Sequence, residues 1–224
     1  MIKAILVDID NTLLDFDVCS KRSMQAACER MGMTYTQEMY DAFMRINEKL
    51  WLQIEQGTLT KERLHEIRWN MVFEKIGQKA DGVLFETYFC EALNVSSEPI
   101  EGAADLLRYL SQKYVVAVAS NASHNQQAQR MALAGMHPYV RYYFVSSQIG
   151  VEKPQKGFFQ YCLHTLGLAP QEVLILGDSL TADMQGGLNC GLHTCWYNPH
   201  RKPVPDDMPL DYVVSSLAEV KRIL

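Results

Sequence analysis

LVDIDNTLLDF, residues 6–16, joins an apolar run to three aspartates, Asp8, Asp10 and Asp15. The run itself extends over residues 2–9 and is apolar on both faces of a strand, which is typical of a strand buried inside a parallel sheet. In open parallel sheets, ligands bind beyond the carboxyl ends of the strands, where these acids lie. The acids therefore fit four interpretations: a calcium loop, a magnesium site, a nucleophile or a turn.

Further short apolar runs follow along the chain, and β-branched residues are common in them. They occupy residues 114–120, 142–147, 173–178, 193–197 and 211–216. Helical patterns separate most of these runs, as at residues 124–135, where Ser123 is a candidate N-cap. Strands that alternate with helices indicate right-handed β–α–β units. The sequence therefore predicts an α/β protein with a doubly wound parallel sheet.

Residues 17–97 interrupt this alternation with four amphipathic helical patterns and no convincing strand. The patterns run from Ser20 to Gly32, from near Thr36 to before Gly57, from Thr60 to Gly77, and from Asp81 to about Asn94. Apolar residues three and four apart indicate helices that pack on one another. We therefore expect an all-helical domain at 17–97, inserted into a core formed by residues 1–16 and 98–224.

The composition restricts the class of protein. The chain has 224 residues, 48% of them apolar, and a formal net charge of -5. Such a mildly acidic chain argues against a nucleic-acid polymer as a partner, and no run approaches the ~18 apolar residues of a membrane span. Because the N-terminus lacks a signal-peptide pattern, we expect a cytoplasmic protein with no membrane partner. The six cysteines include no C-x-x-C pair and are expected to be reduced.

Polar residues follow four of the predicted strands at the point where each strand ends. They are Asp8, Asp10, Thr12, Ser120, Asn121, Lys153, Asp178 and Asp183. Any one of them alone is commonly an N-cap or a turn residue. Together at one edge of a sheet they indicate a functional site.

Carboxylates crowded into one crevice favour a bound cation, because their mutual repulsion is otherwise costly. Magnesium prefers carboxylate oxygens together with water and substrate phosphate, and a lysine and a serine hydroxyl can hold other phosphoryl oxygens. A calcium-binding EF-hand loop that began at Asp8 would need glycine at position 13 and glutamate at position 19, where Leu13 and Cys19 stand. The chain also lacks P-loop, dinucleotide-binding and serine-hydrolase motifs.

Four short motifs resemble, in order, those of the haloacid dehalogenase superfamily. They are DIDNT at 8–12, SN at 120–121, the lysine of EKP at 152–154 and GDSLTAD at 177–183. The resemblance covers the whole chain and implies a Rossmann-like core with a helical cap domain inserted after the first strand. As a set the four motifs are specific, although no single one is.

The resemblance also implies a role for each residue. Asp8 would be the nucleophile that forms an aspartyl-phosphate, and Asp10 the general acid and then the general base. Mg²⁺ would be held by Asp8, by the backbone carbonyl of Asp10 and by Asp178. Asp183 would support the site by orienting metal-bound water or by pairing with Lys153. The implied phosphate-binding residues are Ser120, Asn121, Lys153 and Thr12, the last of which would order its loop through its hydroxyl.

Asp10 favours hydrolysis of a phosphate ester over dehalogenation, because an ester oxygen needs a proton to leave and a halide does not. The stretches DIDNTLLDF, GDSLTADMQGG and CWYNP resemble the pyrimidine 5′-nucleotidase branch, whose members remove unwanted nucleotides. We therefore expect a magnesium-dependent phosphatase of nucleotide metabolism that hydrolyses nucleoside 5′-monophosphates as a monomer or weak homodimer. The alternative is a phosphatase or phosphomutase acting on small sugar phosphates or phosphoglycolate. Candidate contacts to a base are Phe16, Trp51, Arg68, Trp69 and Tyr88, with packing in the cap domain as the alternative for each.

Overall fold

A six-stranded, all-parallel sheet forms the centre of the fold in a computed structural model that describes residues 1–224. The strands are β1 (Ala4–Val7), β2 (Val115–Ser120), β3 (Tyr142–Val145), β4 (Val173–Gly177), β5 (His193–Tyr197) and β6 (Tyr212–Val214). Their order in the sheet is β3-β2-β1-β4-β5-β6, so β1 lies between β2 and β4. This is the order of a doubly wound, Rossmann-like sheet, and the predicted fold class is confirmed.

Four helices form the insert that follows β1. They are α1 (Phe16–Arg30), α2 (Gln37–Glu55), α3 (Lys61–Lys75) and α4 (Gly82–Asn94). The side chains of Thr36, Thr60 and Asp81 accept hydrogen bonds from backbone N–H groups in the first turns of α2, α3 and α4. These N-caps explain why the helices begin where the sequence predicts them.

The interior of the insert is a cluster of aromatic rings. Trp69 has no exposed surface, and its ring stacks on Phe43 with the centroids 4.9 Å apart. Phe85 and Phe89 contact the same indole, with centroid distances of 4.3 and 5.1 Å. Trp69 therefore packs in the interior of the insert, which was the alternative to its role as a base contact.

The side chain of Arg68 also forms hydrogen bonds inside the insert. Its Nε and Nη2 donate to the Glu86 carboxylate at 3.1 and 2.5 Å, and its Nη1 donates to Oδ1 of Asn47 at 2.8 Å. Burial opposes ionisation of Glu86, but Arg68, together with hydrogen bonds from His65 and Cys90, outweighs this and holds the pKa of Glu86 below its ordinary value. The guanidinium is thus part of a buried ion pair. Like Trp69, Arg68 therefore has a structural role inside the insert, which was the alternative to contact with a base.

Six helices belong to the core. They are α5 (Ala103–Ser111), α6 (His124–Leu133), α7 (Ser146–Ile149), α8 (Lys156–Leu166), α9 (Gln185–Cys190) and α10 (Leu217–Ile223). Ile5 and Val7 of β1 share one apolar layer with residues of α5 and α10, while Ala4 and Leu6 share the opposite layer with residues of α8. Because both faces of β1 are buried, its sequence is apolar throughout.

The chain divides into two compact units. One unit comprises Met1–Phe16 and Ser97–Leu224, and the other comprises Asp17–Ser96. All six cysteines are free thiols. No helix in either unit combines the length and the apolarity that a membrane crossing requires.

Candidate active site

Two acids stand side by side where β1 and β4 end. Asp8 follows β1 directly and Asp178 follows β4, and the two strands are hydrogen-bonded neighbours in parallel register. The N–H of Asp8 donates to the carbonyl of Leu176 at 2.9 Å, which extends the pairing as far as the acid. In this strand order the chain reverses direction across the sheet between β1 and β4, and such switch points are where open α/β sheets bind ligands.

A tight turn follows β1. The N–H of Leu13 donates to the carbonyl of Ile9 at 2.8 Å, and Asn11 adopts a left-handed backbone with φ of 60°. Asparagine tolerates this conformation better than most residues with a side chain. Oδ1 of Asn11 accepts a hydrogen bond from the N–H of Phe16 at 2.9 Å. Since this contact caps the following helix, α1 begins at Phe16 and not at Ser20, where the sequence pattern placed it.

The ammonium group of Lys153 is surrounded by three oxygen atoms. Its Nζ lies 2.7 Å from Oδ1 of Asp8, 2.6 Å from Oδ1 of Asp183 and 2.7 Å from the carbonyl of Ala119. Burial alone would lower the pKa of Lys153, but the Asp183 and Asp8 carboxylates outweigh it and hold that pKa above its ordinary value. Lys153 is therefore a permanent positive charge beside Asp8.

Asp183 is fully buried in a π-helical turn, Leu180–Met184. Its Oδ2 accepts a hydrogen bond from the N–H of Ser179 at 3.2 Å, while its Oδ1 pairs with Lys153. A side chain at Gly177 would overlap the Asp183 carboxylate, so glycine at the end of β4 makes this close approach possible. Of the two supporting roles that the resemblance implies for Asp183, pairing with Lys153 is the one that its contacts favour.

Asp178 is tied to two neighbouring strands. Oγ1 of Thr12 donates to Oδ1 of Asp178 at 3.3 Å, so Thr12 links the turn after β1 to the acid after β4. From β5, Nε1 of Trp196 donates to the backbone carbonyl of Asp178 at 2.8 Å. Trp196 thus holds the backbone of this acid in place, in addition to packing in the core.

Ser120 is the last residue of β2 and Asn121 follows it, and the two side chains have different partners. Nδ2 of Asn121 donates to the carbonyl of Lys153 at 2.9 Å, and its Oδ1 accepts from the N–H of Lys153 at 2.8 Å. The Asn121 side chain therefore orders the loop that carries the lysine, and both ends of its amide are already engaged. Oγ of Ser120, which is almost fully buried, accepts from the N–H of Ala122 at 3.2 Å.

Two residues that sequence reasoning did not select complete the site. Nη1 of Arg130 donates to Oδ1 of Asp10 at 2.6 Å, and Nε2 of Gln127 donates to Oδ2 of Asp10 at 2.7 Å. Both side chains come from α6 and have no exposed surface. Their signal in the sequence is a pair of polar residues three apart on the inward face of the helix that directly follows β2.

The acids at this edge carry more negative charge than one lysine neutralises. Burial raises the pKa of Asp8, and burial together with Asp183 raises the pKa of Asp178 to about 7. Carboxylate oxygens of Asp8, Asp178 and Asp183 lie within 4.8 Å of one another. Lys153 uses Oδ1 of Asp8 and Thr12 uses Oδ1 of Asp178, which leaves the second oxygen of each for a cation. This donor set, hard oxygens with uncompensated charge, fits Mg²⁺.

Comparison with known proteins identifies the family of the chain. The family model for haloacid dehalogenase-like hydrolases matches residues 2–191. The putative HAD-hydrolase YfnB of Bacillus subtilis is 33% identical over 224 residues, which cover 99% of this chain and 95% of YfnB. A crystal structure of YfnB bound to magnesium superposes with a TM-score of 0.93 at 32% identity, covering 100% of this chain and 98% of that one.

Two relatives carry a more specific name. The pyrimidine 5′-nucleotidase PynA of Streptococcus pneumoniae is 34% identical over 88% of this chain and 84% of its own length. The pyrimidine 5′-nucleotidase YjjG of Escherichia coli is 30% identical over 98% of this chain and 96% of its own length. The family match and these full-length similarities confirm the predicted resemblance: the chain belongs to the haloacid dehalogenase-like hydrolases.

Proposed function

We propose that the protein is a magnesium-dependent phosphomonoesterase that acts through phosphorylation of Asp8. One observation carries the proposal. Asp8 and Asp10 lie on the same short turn but have different partners, since Asp8 contacts the ammonium of Lys153 and Asp10 contacts Arg130 and Gln127. Two carboxylates held in different environments can divide the roles of nucleophile and acid–base catalyst between them.

In the first step, a carboxylate oxygen of Asp8 forms a bond to phosphorus while the bond between phosphorus and the ester oxygen breaks. Asp10 in its protonated form gives its proton to the departing oxygen. In the second step, a water molecule loses a proton to the Asp10 carboxylate and attacks phosphorus. The bond from phosphorus to Asp8 then breaks, which releases orthophosphate and restores both acids.

The remaining residues position these groups. Lys153 reduces the repulsion between the Asp8 carboxylate and an approaching phosphate dianion, and the hydroxyl of Ser120 donates to a phosphoryl oxygen. Thr12 and Asn121 order the two loops that carry Asp178 and Lys153.

Asp8, the backbone carbonyl of Asp10 and Asp178 would hold Mg²⁺, with Asp183 in a supporting role. When bound, the ion neutralises negative charge and polarises the phosphoryl group. Support for magnesium comes from the acidic donor set and from the magnesium-bound structure of YfnB.

For the substrate we propose nucleoside 5′-monophosphates, with pyrimidine nucleotides preferred. The support is the similarity to PynA and YjjG at 34% and 30% identity. The competing possibility is a small sugar phosphate or phosphoglycolate, which the same acid pair can hydrolyse.

The test is orthophosphate release from pyrimidine and purine nucleoside 5′-monophosphates, sugar phosphates and phosphoglycolate, with magnesium and with EDTA. Wild-type protein should hydrolyse the pyrimidine nucleotides fastest, only with magnesium, and Asp8→Asn should abolish turnover. Asp105→Asn, which removes an exposed acid of α5, is the matched control and should behave like wild type. Retained turnover in Asp8→Asn would refute the nucleophile assignment. Preference for sugar phosphates would refute the nucleotidase assignment, and phosphate transfer without free orthophosphate would indicate a mutase.

A further inference from the structure

A buried pair of side chains on α6 holds Asp10. Nη1 of Arg130 and Nε2 of Gln127 each donate to a different oxygen of the Asp10 carboxylate, at 2.6 and 2.7 Å. The two side chains also contact each other, because Nη1 of Arg130 lies 3.1 Å from Oε1 of Gln127. Both are fully buried, whereas the side chain of Asp10 keeps 31% of its surface exposed. The Asp10 carboxylate is thus hydrogen-bonded to two buried side chains on one side and exposed to solvent on the other.

The chemistry of these partners fixes the orientation of the Gln127 amide. Its oxygen faces Nη1 of Arg130, which can only donate, and this places its nitrogen against Oδ2 of Asp10, which accepts. The same Nε2 also donates to Oγ of Ser120 at 3.0 Å. One amide group therefore contacts both the proposed acid–base residue and the proposed phosphate-binding hydroxyl.

This contact determines the direction of the Ser120 hydroxyl. Its oxygen accepts one hydrogen bond from Nε2 of Gln127 and one from the N–H of Ala122 at 3.2 Å. A serine hydroxyl has two lone pairs and one hydrogen. With both lone pairs engaged, the hydrogen is left to donate to an anion such as a phosphoryl oxygen.

We propose that Gln127 and Arg130 are positioning residues that align the Asp10 carboxylate with the ester oxygen and the Ser120 hydroxyl with the phosphoryl group. The inference rests on the proposed function. A helix that needed only to pack on the sheet would place apolar side chains at these two buried positions, since burying a guanidinium is costly unless it is well paired. Neither residue contacts the reacting atoms, and each acts through Asp10 or Ser120.

The test compares two esters that differ in their need for a proton. 4-Nitrophenyl phosphate has a leaving group that departs without protonation, whereas the alkoxide of a nucleoside 5′-monophosphate requires an acid. The quantity to measure is kcat/KM, because it reports the steps up to the departure of the leaving group. The variants are Gln127→Met, Arg130→Met and Arg130→Lys. Gln129→Met, on the exposed face of the same helix, is the matched control.

We expect Arg130→Met to lower kcat/KM for the nucleotide by about 10- to 100-fold and for the aryl ester by less than about 3-fold, since misplacing a catalytic group by about 1 Å can cost 10²-fold. Gln127→Met also releases the Ser120 hydroxyl, which serves the phosphoryl group of both esters, so it should lower both values and lower the nucleotide value about 10-fold more than the aryl value. Arg130→Lys should recover part of the nucleotide activity, because it restores a cationic donor. Gln129→Met should match wild type. In an Asp10→Asn background, Arg130→Met should change the ratio of the two esters no further, since the two residues act as one unit.

Equal losses for both esters, or a further change of the ratio in the Asp10→Asn background, would overturn the positioning role and leave the proposed function standing. If wild-type protein releases no phosphate from either ester with magnesium, the proposed function fails and the positioning role fails with it. Should Arg130→Met not fold, Gln127→Met and Arg130→Lys decide the question, because they leave the buried cation in place.

Discussion

Nζ of Lys153 lies 2.7 Å from Oδ1 of Asp8, and both groups are buried at the centre of the sheet edge. The lysine reaches Asp8 from the loop between α7 and α8, and the strand that precedes these helices, β3, is two strands away from β1 in the sheet order. Its charge opposes the rise that burial causes in the pKa of Asp8. The contact therefore holds the proposed nucleophile and a counter-charge together before any substrate is bound.

Loss of this lysine should destabilise the core. Lys153→Met leaves the carboxylates of Asp8 and Asp183 buried without their cation, and removing one partner of a buried ion pair costs about 3–5 kcal/mol. Urea unfolding at pH 7 without magnesium measures the change. Lys156→Met, at an exposed position in the first turn of α8, should alter the free energy of unfolding by less than about 0.5 kcal/mol. Equal stability of the two variants would contradict the role of Lys153 as counter-charge.

The acids should make the stability of the metal-free protein fall as the pH rises from about 4 to about 7. The pKa of Asp178 is about 7 in the folded protein, against ~3.9 in an unfolded chain, so within this window the folded state keeps a proton that the unfolded state releases. The raised pKa of Asp8 acts in the same direction. We expect the Tm in EDTA to be several degrees lower at pH 8 than at pH 6.

Magnesium should reverse this trend, because at the proposed site it would bind the deprotonated carboxylates and stabilise the folded state by mass action. The increase in Tm on adding magnesium should be larger at pH 8 than at pH 6, and binding near pH 6.5 should release protons. Asp178→Asn is the control and should remove most of both effects. A magnesium-induced shift that is equal at both pH values would contradict the assignment.

Glycine at position 177 should be required for the arrangement of the acids. In Gly177→Ala the new methyl group overlaps the Asp183 carboxylate, which must move away from Lys153. We expect a loss of about 1–3 kcal/mol in the free energy of unfolding and a fall in phosphatase activity. Gly157→Ala is the matched control, since the new methyl group would make only ordinary van der Waals contact with Val151. Alanine also has a higher helix propensity than glycine at this position inside α8. That variant should be neutral or slightly more stable, and equal loss in both variants would refute the steric explanation.

The ion pair of the insert can be tested separately. Arg68→Met leaves Glu86 buried without its principal partner and should cost the insert about 3–5 kcal/mol. Arg63→Met removes an exposed arginine from the same helix, whose pair with Glu66 is worth little, and should stay within about 0.5 kcal/mol of wild type. The free energy of unfolding in urea, followed by tryptophan fluorescence, distinguishes the two variants.

The sheet and most helix starts could be predicted from local patterns. Ala4, Ile5, Leu6 and Val7 are apolar on both faces because both faces are covered, and this alternation-free run identifies a parallel strand. The start of α1 could not be predicted in the same way. It depends on the left-handed backbone of Asn11, which places a capping oxygen five residues before the helix begins.

The candidate site likewise contains residues that local patterns predict and residues that they do not. Residues at strand ends, such as Asp8 and Asp178, could be selected because strand ends converge at one edge of a parallel sheet. The partners of Asn121 and the contacts of Gln127 and Arg130 depend on how a loop and a helix pack against that edge, which local spacing does not encode. The motif at residues 120–121 predicts that Asn121 binds phosphate, while in the structure its amide is engaged by the backbone of Lys153.

The π-helical turn Leu180–Met184 makes the number of residues in this segment matter as much as their identity. In it, the N–H of Met184 donates to the carbonyl of Ser179 five positions earlier, so the turn accommodates one residue more than an α-helical turn. Deleting a single residue, such as the exposed Thr181, would restore ordinary winding and rotate Asp183 by about 100° around the helix axis. The acid would then face away from Lys153 although every functional side chain was still encoded, so a change in chain length alone would be enough to disconnect the site.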